Sequence, residues 1–209
     1  LPSANIPTNV AGTKTYRAVV TSGVCPSIYS DVASVQVDAA TVAGSIAGTS
    51  NLICNGSTPP TITLAGNLST RIEWLSGTIA GSLTSTTPTQ TGQSISSVVN
   101  NLATGNSRVT HYYQALVTNG KCNTLATNEV SVTVDPTSQV GLLDPLQKTQ
   151  QVCIGSPATS VVLPSNVGTI QWQTATVGGA YGNMTGLTSA TLPFGNIPTN
   201  VAGTLNYRA

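Results

Sequence analysis

"YYQALVTNGKCNTLATNEVSVTVD", residues 112–135, decides the fold. Tyr113, Ala115 and Val117 alternate with Tyr112, Gln114 and Leu116, a period of two that belongs to a strand with one buried face. Asn119-Gly120 follows, a pair that tolerates the positive backbone angles of a tight hairpin turn. After it, Val130, Val132 and Val134 alternate with Ser131 and Thr133, so the chain returns as a second strand. The stretch therefore reads as the closing hairpin of an antiparallel β-domain.

Working outward, the same phrase stands near the start as "TYRAVVTSGVCPSIYSDVASVQVD", residues 15–38. Tyr16 falls on Tyr113, Cys25 on Cys122 and Asp38 on Asp135, each 97 residues apart. A second pair of stretches, "LICNGSTPPTITLAGNLSTRIEWLSG" (52–77) and "QVCIGSPATSVVLPSNVGTIQWQTA" (151–175), sets Cys54 on Cys153, Gly56 on Gly155 and Leu64 on Leu163. One deletion then brings Trp74 onto Trp172. "NIPTNVAGTKTYRA" (5–18) returns as "NIPTNVAGTLNYRA" (196–209), with Lys14 and Thr15 replaced by Leu205 and Asn206. Repetition of this length marks an array of similar modules. The expected division is residues 1–38 as the C-terminal part of one repeat, 39–135 as a complete repeat, and 136–209 as the N-terminal and middle part of a third. The chain then reads as a window on a tandem array, cut out of phase with its modules.

Within the unit, Ile72 and Trp74 share a face, as do Ile170 and Trp172, while Ile62 pairs with Leu64. Turn signals separate these runs at Asn55-Gly56, Pro59-Pro60, Ser76-Gly77 and Gly178-Gly179. About seven short strands per unit, without sustained helical periodicity, predict an all-β fold of tandem Ig-like antiparallel β-sandwiches.

Charge narrows the function. Seven basic and six acidic residues in 209 leave no basic stripe to neutralise phosphates, which argues against a nucleic-acid partner. No apolar run approaches the roughly 18 residues of a membrane helix, and Leu1 opens straight into strand-like sequence, so neither direct membrane insertion nor a leader peptide is expected. Thr and Ser are abundant, and the four cysteines are too widely spaced for the paired ligands of a zinc site. These features point to an oxidising, extracytoplasmic setting. A Cys54–Cys122 disulfide would tie the early edge of the complete unit to its last hairpin. The chain-entropy model puts its value at roughly 4 kcal/mol. Cys25 and Cys153 are then unpaired within the window, their partners lying outside it. Alternatively, head-to-tail neighbours complete each other's sandwich and Cys153 of one chain meets Cys25 of the next.

Other polar residues offer little chemistry. The single histidine, His111, aligns with Lys14 and Leu205, which suits a surface position better than a catalytic or metal role. Glu73 and Glu129 are a conceivable acid/base pair, but Glu73 aligns with Gln171. Asp38 and Asp135 recur at the unit junctions, with too few other carboxylates for a calcium shell of six or more oxygens. Trp74 and Trp172 share faces with isoleucines and read as core rather than as a sugar platform. Asn55, Asn67 and Asn183 open formal glycosylation sequons. No catalytic residue, metal site or cofactor is expected.

Cys-x-Gly, the "I-x-W-Q" strand, "Y-R-A-V-V-T-S-G-x-C" and the closing "V-x-V-x-V" together resemble the Ig-like tandem repeats of very large bacterial cell-surface adhesins of the SprB gliding-motility type. The residues carrying this are Cys54, Gly56, Ile72, Trp74, Tyr113, Ala115 and Cys122. In the third unit they are Cys153, Gly155, Ile170, Trp172, Gln173, Tyr207, Arg208 and Ala209, and in the first Tyr16 to Gly23 and Cys25. The middle unit departs with "EWL" for "QWQ" and Gln114 for Arg. The resemblance implies a secreted, surface-displayed filament, exported by type IX secretion and serving attachment and gliding. Its partners would be neighbouring repeats, external surfaces or polysaccharide. The junctions "VDAAT" (37–41) and "VDPTSQ" (134–139) lack a flexible Gly/Ser run, so stacked, semi-rigid domains are expected. The alternative is a polysaccharide-binding module of a secreted protein, for which Tyr29, Tyr112 and Tyr181 are the available aromatics.

Overall fold

The computed structural model describes residues 2–47, 51–58, 60–86, 90–95 and 106–209. It is an all-β chain of antiparallel sheets, with one four-residue α-helix, Pro145–Lys148, and two three-residue 3-10 turns among the described residues. In chain order the strands are β1 (Gly12–Tyr16), β2 (Val19–Val20), β3 (Ile28–Tyr29), β4 (Ala33–Val37), β5 (Ser45–Ala47) and β6 (Asn51–Cys54). Next come β7 (Ile62–Ala65), β8 (Arg71–Gly77), β9 (Thr84–Ser85), β10 (Ser94–Ile95), β11 (Val109–Thr118), β12 (Leu125–Ala126) and β13 (Val130–Asp135). The last are β14 (Val161–Val162), β15 (Gln173–Thr176), β16 (Gly182–Asn183), β17 (Thr191–Leu192) and β18 (Leu205–Arg208). The chain divides into two compact units. One takes in the described residues of Leu1–Ile53, Ser57–Ala103 and Val109–Val134, the other those of Cys54–Gly56, Thr104–Arg108 and Asp135–Ala209.

In the first unit the expected hairpin is present. β11 pairs with β13 from Val109↔Val134 to Tyr113↔Val130 and with β12 at Leu116↔Ala126 and Val117↔Leu125. Its other edge takes β8, from Tyr112↔Gly77 to Thr118↔Arg71. These strands belong to a six-stranded sheet ordered β6-β13-β11-β8-β9 with β12 beside β11; a three-stranded sheet is ordered β10-β7-β5. The period-two faces read from the sequence meet in one core. Ile46, Ile62, Leu64 and Ile95 come from the small sheet, and Ile72, Trp74, Tyr113, Ala115, Val117, Val132 and Val134 from the large one. Each buried aliphatic side chain contributes roughly 1.5–3 kcal/mol, so this cluster outweighs any single polar contact in the unit.

The second unit has a smaller core of Val161, Leu163, Trp172 and Leu192, with Ile170, Leu187, Ile197 and Tyr207 against it. Aligned residues repeat their bonds. The Trp74 indole donates to the Gly92 carbonyl at 2.8 Å and the Trp172 indole to that of Ser189 at 2.9 Å. Ile62↔Ile95 recurs as Val161↔Leu192, and Ser76↔Tyr113 as Thr174↔Tyr207. Gly56 and Gly155, the glycines of Cys-x-Gly, hold φ of +87° and +81°, a region in which a Cβ is strained.

The Cys54–Cys122 bridge is not formed, and all four cysteines carry free thiols. The strand register gives the reason. Asn55, next after Cys54, donates its N–H to the Asp135 carbonyl at 2.8 Å, at the end of β13 that lies by Val109. Cys122 instead follows the far end of β11, past Thr118. A ten-residue strand covers roughly 30 Å, whereas bridged cysteines need Cα atoms within about 7 Å. Sequence order brought the two near the ends of one module, but they lie near opposite ends of its longest strand.

Candidate functional site: a clamped junction turn

The polar groups that do converge lie where residues 38–41 meet the tip of the β11–β12 hairpin. Asn119-Gly120 makes the turn, closed by the Cys122 N–H on the Asn119 carbonyl at 2.9 Å. Gly120 holds φ +51°, and a Cβ there would stand 1.9 Å from Asp38 Oδ2, so only glycine lets the carboxylate lie against the turn. Asp38 Oδ2 accepts from the Lys121 N–H at 2.9 Å. The Asn119 side chain donates to the Ala39 carbonyl at 2.9 Å, and its backbone N–H donates to Thr41 Oγ1 at 3.0 Å. The Gly120 N–H donates to Thr70 Oγ1 at 2.9 Å. The Cys122 thiol donates to the Ala39 carbonyl at 3.1 Å. Residues 38–41, which carry no bulky side chain, are thus fastened at several points to a turn about eighty residues later. An open groove of about 420 Å³, lined by Ala40, Thr41, Cys122, Asn123 and Leu125, borders this clamp.

Asp135, the counterpart of Asp38, is held differently. Arg108 engages both its carboxylate oxygens, with Nη2 at 3.1 Å from Oδ2, and this hydrogen bond and charge push the guanidinium pKa up. Thr137 Oγ1 donates to the Asn55 carbonyl at 3.4 Å. The two recurring aspartates therefore both take protein donors. Among the described residues no three His, Cys, Asp or Glu side chains gather in a metal-binding group.

The remaining candidates are dispersed. His111 sits half-buried on β11 opposite Val132, and burial lowers its pKa. Glu73 accepts from Arg71 at 3.0 Å and from the Ser85 hydroxyl, while Glu129 accepts from the Gly81 N–H at 2.9 Å. Trp74 and Trp172 are both 0% exposed, as interior residues. Tyr113, also fully buried, has its phenol pushed up to about 12 by burial. Tyr207 shifts upward for the same reason, opposed by the Thr174 hydroxyl. Exposed Tyr29 lies under the Arg17 guanidinium at 3.9 Å, and Tyr181 under that of Arg208 at 4.0 Å. Those stacks were not read from the sequence. Their only signal is the arginine that follows Tyr16 and Tyr207 and becomes Gln114 in the middle repeat, whose amide donates to the Thr127 carbonyl instead.

A family model described as a domain of unknown function (DUF8696) matches residues 42–136 and 145–209. The chain belongs to that family. The two matched stretches of DUF8696 contain the two tryptophan cores, Trp74 in the first and Trp172 in the second. Asp38 to Thr41, the fixed side of the clamp, precede the first DUF8696 match, and the Asn119-Gly120 turn lies inside it. No curated protein matches the chain.

Proposed function

We propose that this chain is a structural and adhesive segment of a large secreted filament displayed on a bacterial cell surface, built from Ig-like β-sandwich repeats divided as 1–38, 39–135 and 136–209. The observation that carries the reading is the clamp. Residues 38–41, which would be slack in a flexible linker, are spent on hydrogen bonds to Asn119, Lys121 and Cys122. Tension applied along the chain must break these bonds before the junction lengthens. Two sheets sharing one apolar core, closed by the β11–β13 hairpin, support the sandwich assignment. The resemblance to gliding-motility adhesins supports surface display, type IX export and a role in attachment and gliding. Adhesion then comes from many weak contacts along repeated modules.

Single-molecule pulling on the chain tests this. The junction should release no measurable length below the force that unfolds the middle repeat, and Asp38→Ala should add a low-force extension. Slack in the unmodified chain at low force would end the reading.

The surface positions of Tyr29 and Tyr181, 59% and 37% exposed beside Arg17 and Arg208, favour a second reading, a polysaccharide-binding module, because exposed aromatic rings suit sugars. Binding of the chain on a glycan array, lost in Tyr29→Ala and Tyr181→Ala, would establish it.

A further inference from the structure

Asparagine followed by glycine is prone to spontaneous modification, because a glycine without Cβ leaves its backbone nitrogen free to reach the asparagine side chain. The chain has two such pairs, Asn55-Gly56 and Asn119-Gly120. Neither turn demands asparagine. Ser22-Gly23, aligned with Asn119-Gly120, closes the same turn, with the Cys25 N–H on the Ser22 carbonyl at 3.0 Å and Gly23 at φ +52°. Ile154-Gly155, aligned with Asn55-Gly56, keeps Gly155 at φ +81°. What asparagine adds at 119 is its amide, and that amide is engaged.

The clamp holds both reacting groups of Asn119-Gly120. Attack needs the deprotonated Gly120 nitrogen on Cγ of Asn119. That nitrogen donates its hydrogen to Thr70 Oγ1 at 2.9 Å, and Nδ2, the group that would leave, donates to the Ala39 carbonyl at 2.9 Å. The Asp38 carboxylate lies against Gly120 and disfavours the negative charge of the attacking nitrogen. Asn119 is half-buried and Gly120 exposed, so exclusion of water does not protect the pair. Around Asn55 the bonds fall on the backbone, through Asp135 and Thr137. Among the described residues none holds the Asn55 side-chain amide or the Gly56 N–H.

We propose that Asn119-Gly120 is a modification site latched by the junction clamp, inert while the clamp is closed and converted to aspartate and isoaspartate once it opens. The Gly120 nitrogen gives its proton to hydroxide and bonds to Cγ of Asn119. The Cγ–Nδ2 bond breaks, and Nδ2 leaves as ammonia with a proton from water, which restores the hydroxide. Water then adds to either carbonyl of the cyclic imide. Opening at the main-chain carbonyl gives isoaspartate, and opening at Cγ gives aspartate. No oxidant or reductant takes part. Both products lack the Nδ2 donor that Ala39 accepts and put a carboxylate oxygen in its place, and isoaspartate also adds a methylene to the main chain. The clamp cannot close again as it was, so conversion records the opening permanently. The proposal rests on the clamp's geometry and is independent of the adhesive reading.

Peptide mapping by mass spectrometry tests it, on the 209-residue chain incubated in mildly alkaline buffer with and without urea. Asn55 is the internal reference, the same dipeptide under the same conditions. In the folded chain Asn119 should convert about thirtyfold slower than in urea, the effect of two hydrogen bonds of ordinary strength, with Asn55 well ahead of it. Asp38→Ala leaves both reacting groups in place and frees the turn of one bond, so it should speed folded Asn119 roughly fivefold. Thr70→Val, which removes the acceptor of the Gly120 N–H, should act in the same direction. Conversion of Asn119 as fast in the folded chain as in urea, equal conversion of Asn55 and Asn119 in the folded chain, or a rate that neither substitution changes overturns the proposal. Should the variants lose their β circular dichroism, hydrogen exchange of the unmodified chain decides. A Gly120 amide protected alongside slow Asn119 conversion supports the latch, and one exchanging as fast as in urea refutes it.

Discussion

Replacing Gly120 by alanine tests the clamp most directly, because two separable costs converge on one atom. At φ +51° an alanine takes up left-handed strain of roughly 1 kcal/mol. Its Cβ would also stand 1.9 Å from Oδ2 and 2.2 Å from Cγ of Asp38, so the carboxylate must swing away and the Lys121 N–H loses its acceptor. A hydrogen bond of this kind, partly open to solvent, is worth about 1 kcal/mol net. Gly120→Ala should therefore cost about 2 kcal/mol. Asp38→Ala removes the bond alone and should cost about 1 kcal/mol. The double variant keeps the strain and has no carboxylate left to displace, so it also should cost about 2 kcal/mol. The two single losses then fail to add by about 1 kcal/mol, well above the few tenths expected of independent sites. Native-state hydrogen exchange of the β11 amides, whose slowest members report opening of the whole unit, provides the free energies. Additive losses, or a Gly120→Ala cost unchanged by removing Asp38, would show that the carboxylate does not rest on the turn.

Asn128 offers a second probe. Its side-chain amide accepts from the Ile46 N–H at 2.8 Å and donates to the Ile46 carbonyl at 3.1 Å, imitating a neighbouring strand for β5. Asn128→Ala should destabilise the first unit by roughly 1–3 kcal/mol in urea unfolding, and Asn128→Asp should do no better, because its second carboxylate oxygen would face the Ile46 carbonyl in place of a donor. Tyr113 has a buried hydroxyl without a hydrogen-bond partner, and its folded pKa of about 12 lies above the ordinary value of 10.0. A raised acid pKa means that the unfolded chain releases its proton first, so stability is full below pH 10 and falls as pH rises toward 12. Tyr113→Phe should melt no lower than the unmodified protein at neutral pH and lose less stability between those two pH values. With all four thiols free, native titration with an aromatic disulfide reagent should show Cys25, Cys54 and Cys153 reacting fast and half-buried Cys122 slowly. Reductant should leave the melting temperature unchanged.

What could be read in advance was whatever depends on near neighbours in the chain. Period-two alternation placed Tyr113, Ala115, Val117, Val132 and Val134 on one buried face, and the face shared by Trp74 and Ile72 made that indole a core group. Asn119-Gly120 announced its turn through its own backbone preferences. The clamp was not legible, because the groups that hold this turn come from residues 38–41, and nothing local in "VDAAT" names its partner. The cysteines show the same limit. Cys54 lies just before one strand and Cys122 just after a turn, yet that information does not say which end of β11 each approaches. Register decides it, and register is set by contacts between strands distant in sequence. The strands of two residues, such as β2 and β9, were invisible for another reason, since a run that short has no period to detect.

The three copies allow a further step, because they separate what the fold requires from what it permits. Ser30 and Thr127 occupy one aligned position. The hydroxyl of each accepts the N–H of the aligned Ala18 or Ala115, at 2.9 and 3.0 Å. The two tryptophans close the same carbonyl contact. Position by position outside the core, this constancy is lost: His111 faces Lys14 and Leu205, and Gln114 faces Arg17 and Arg208. The recurring hydroxyls and indoles thus satisfy backbone groups, while the outer positions of β11 and its counterparts change residue type. Substitutions at these outer positions leave the buried face of β11, Tyr113, Ala115 and Val117, untouched, so the residue there can change at little cost to the core.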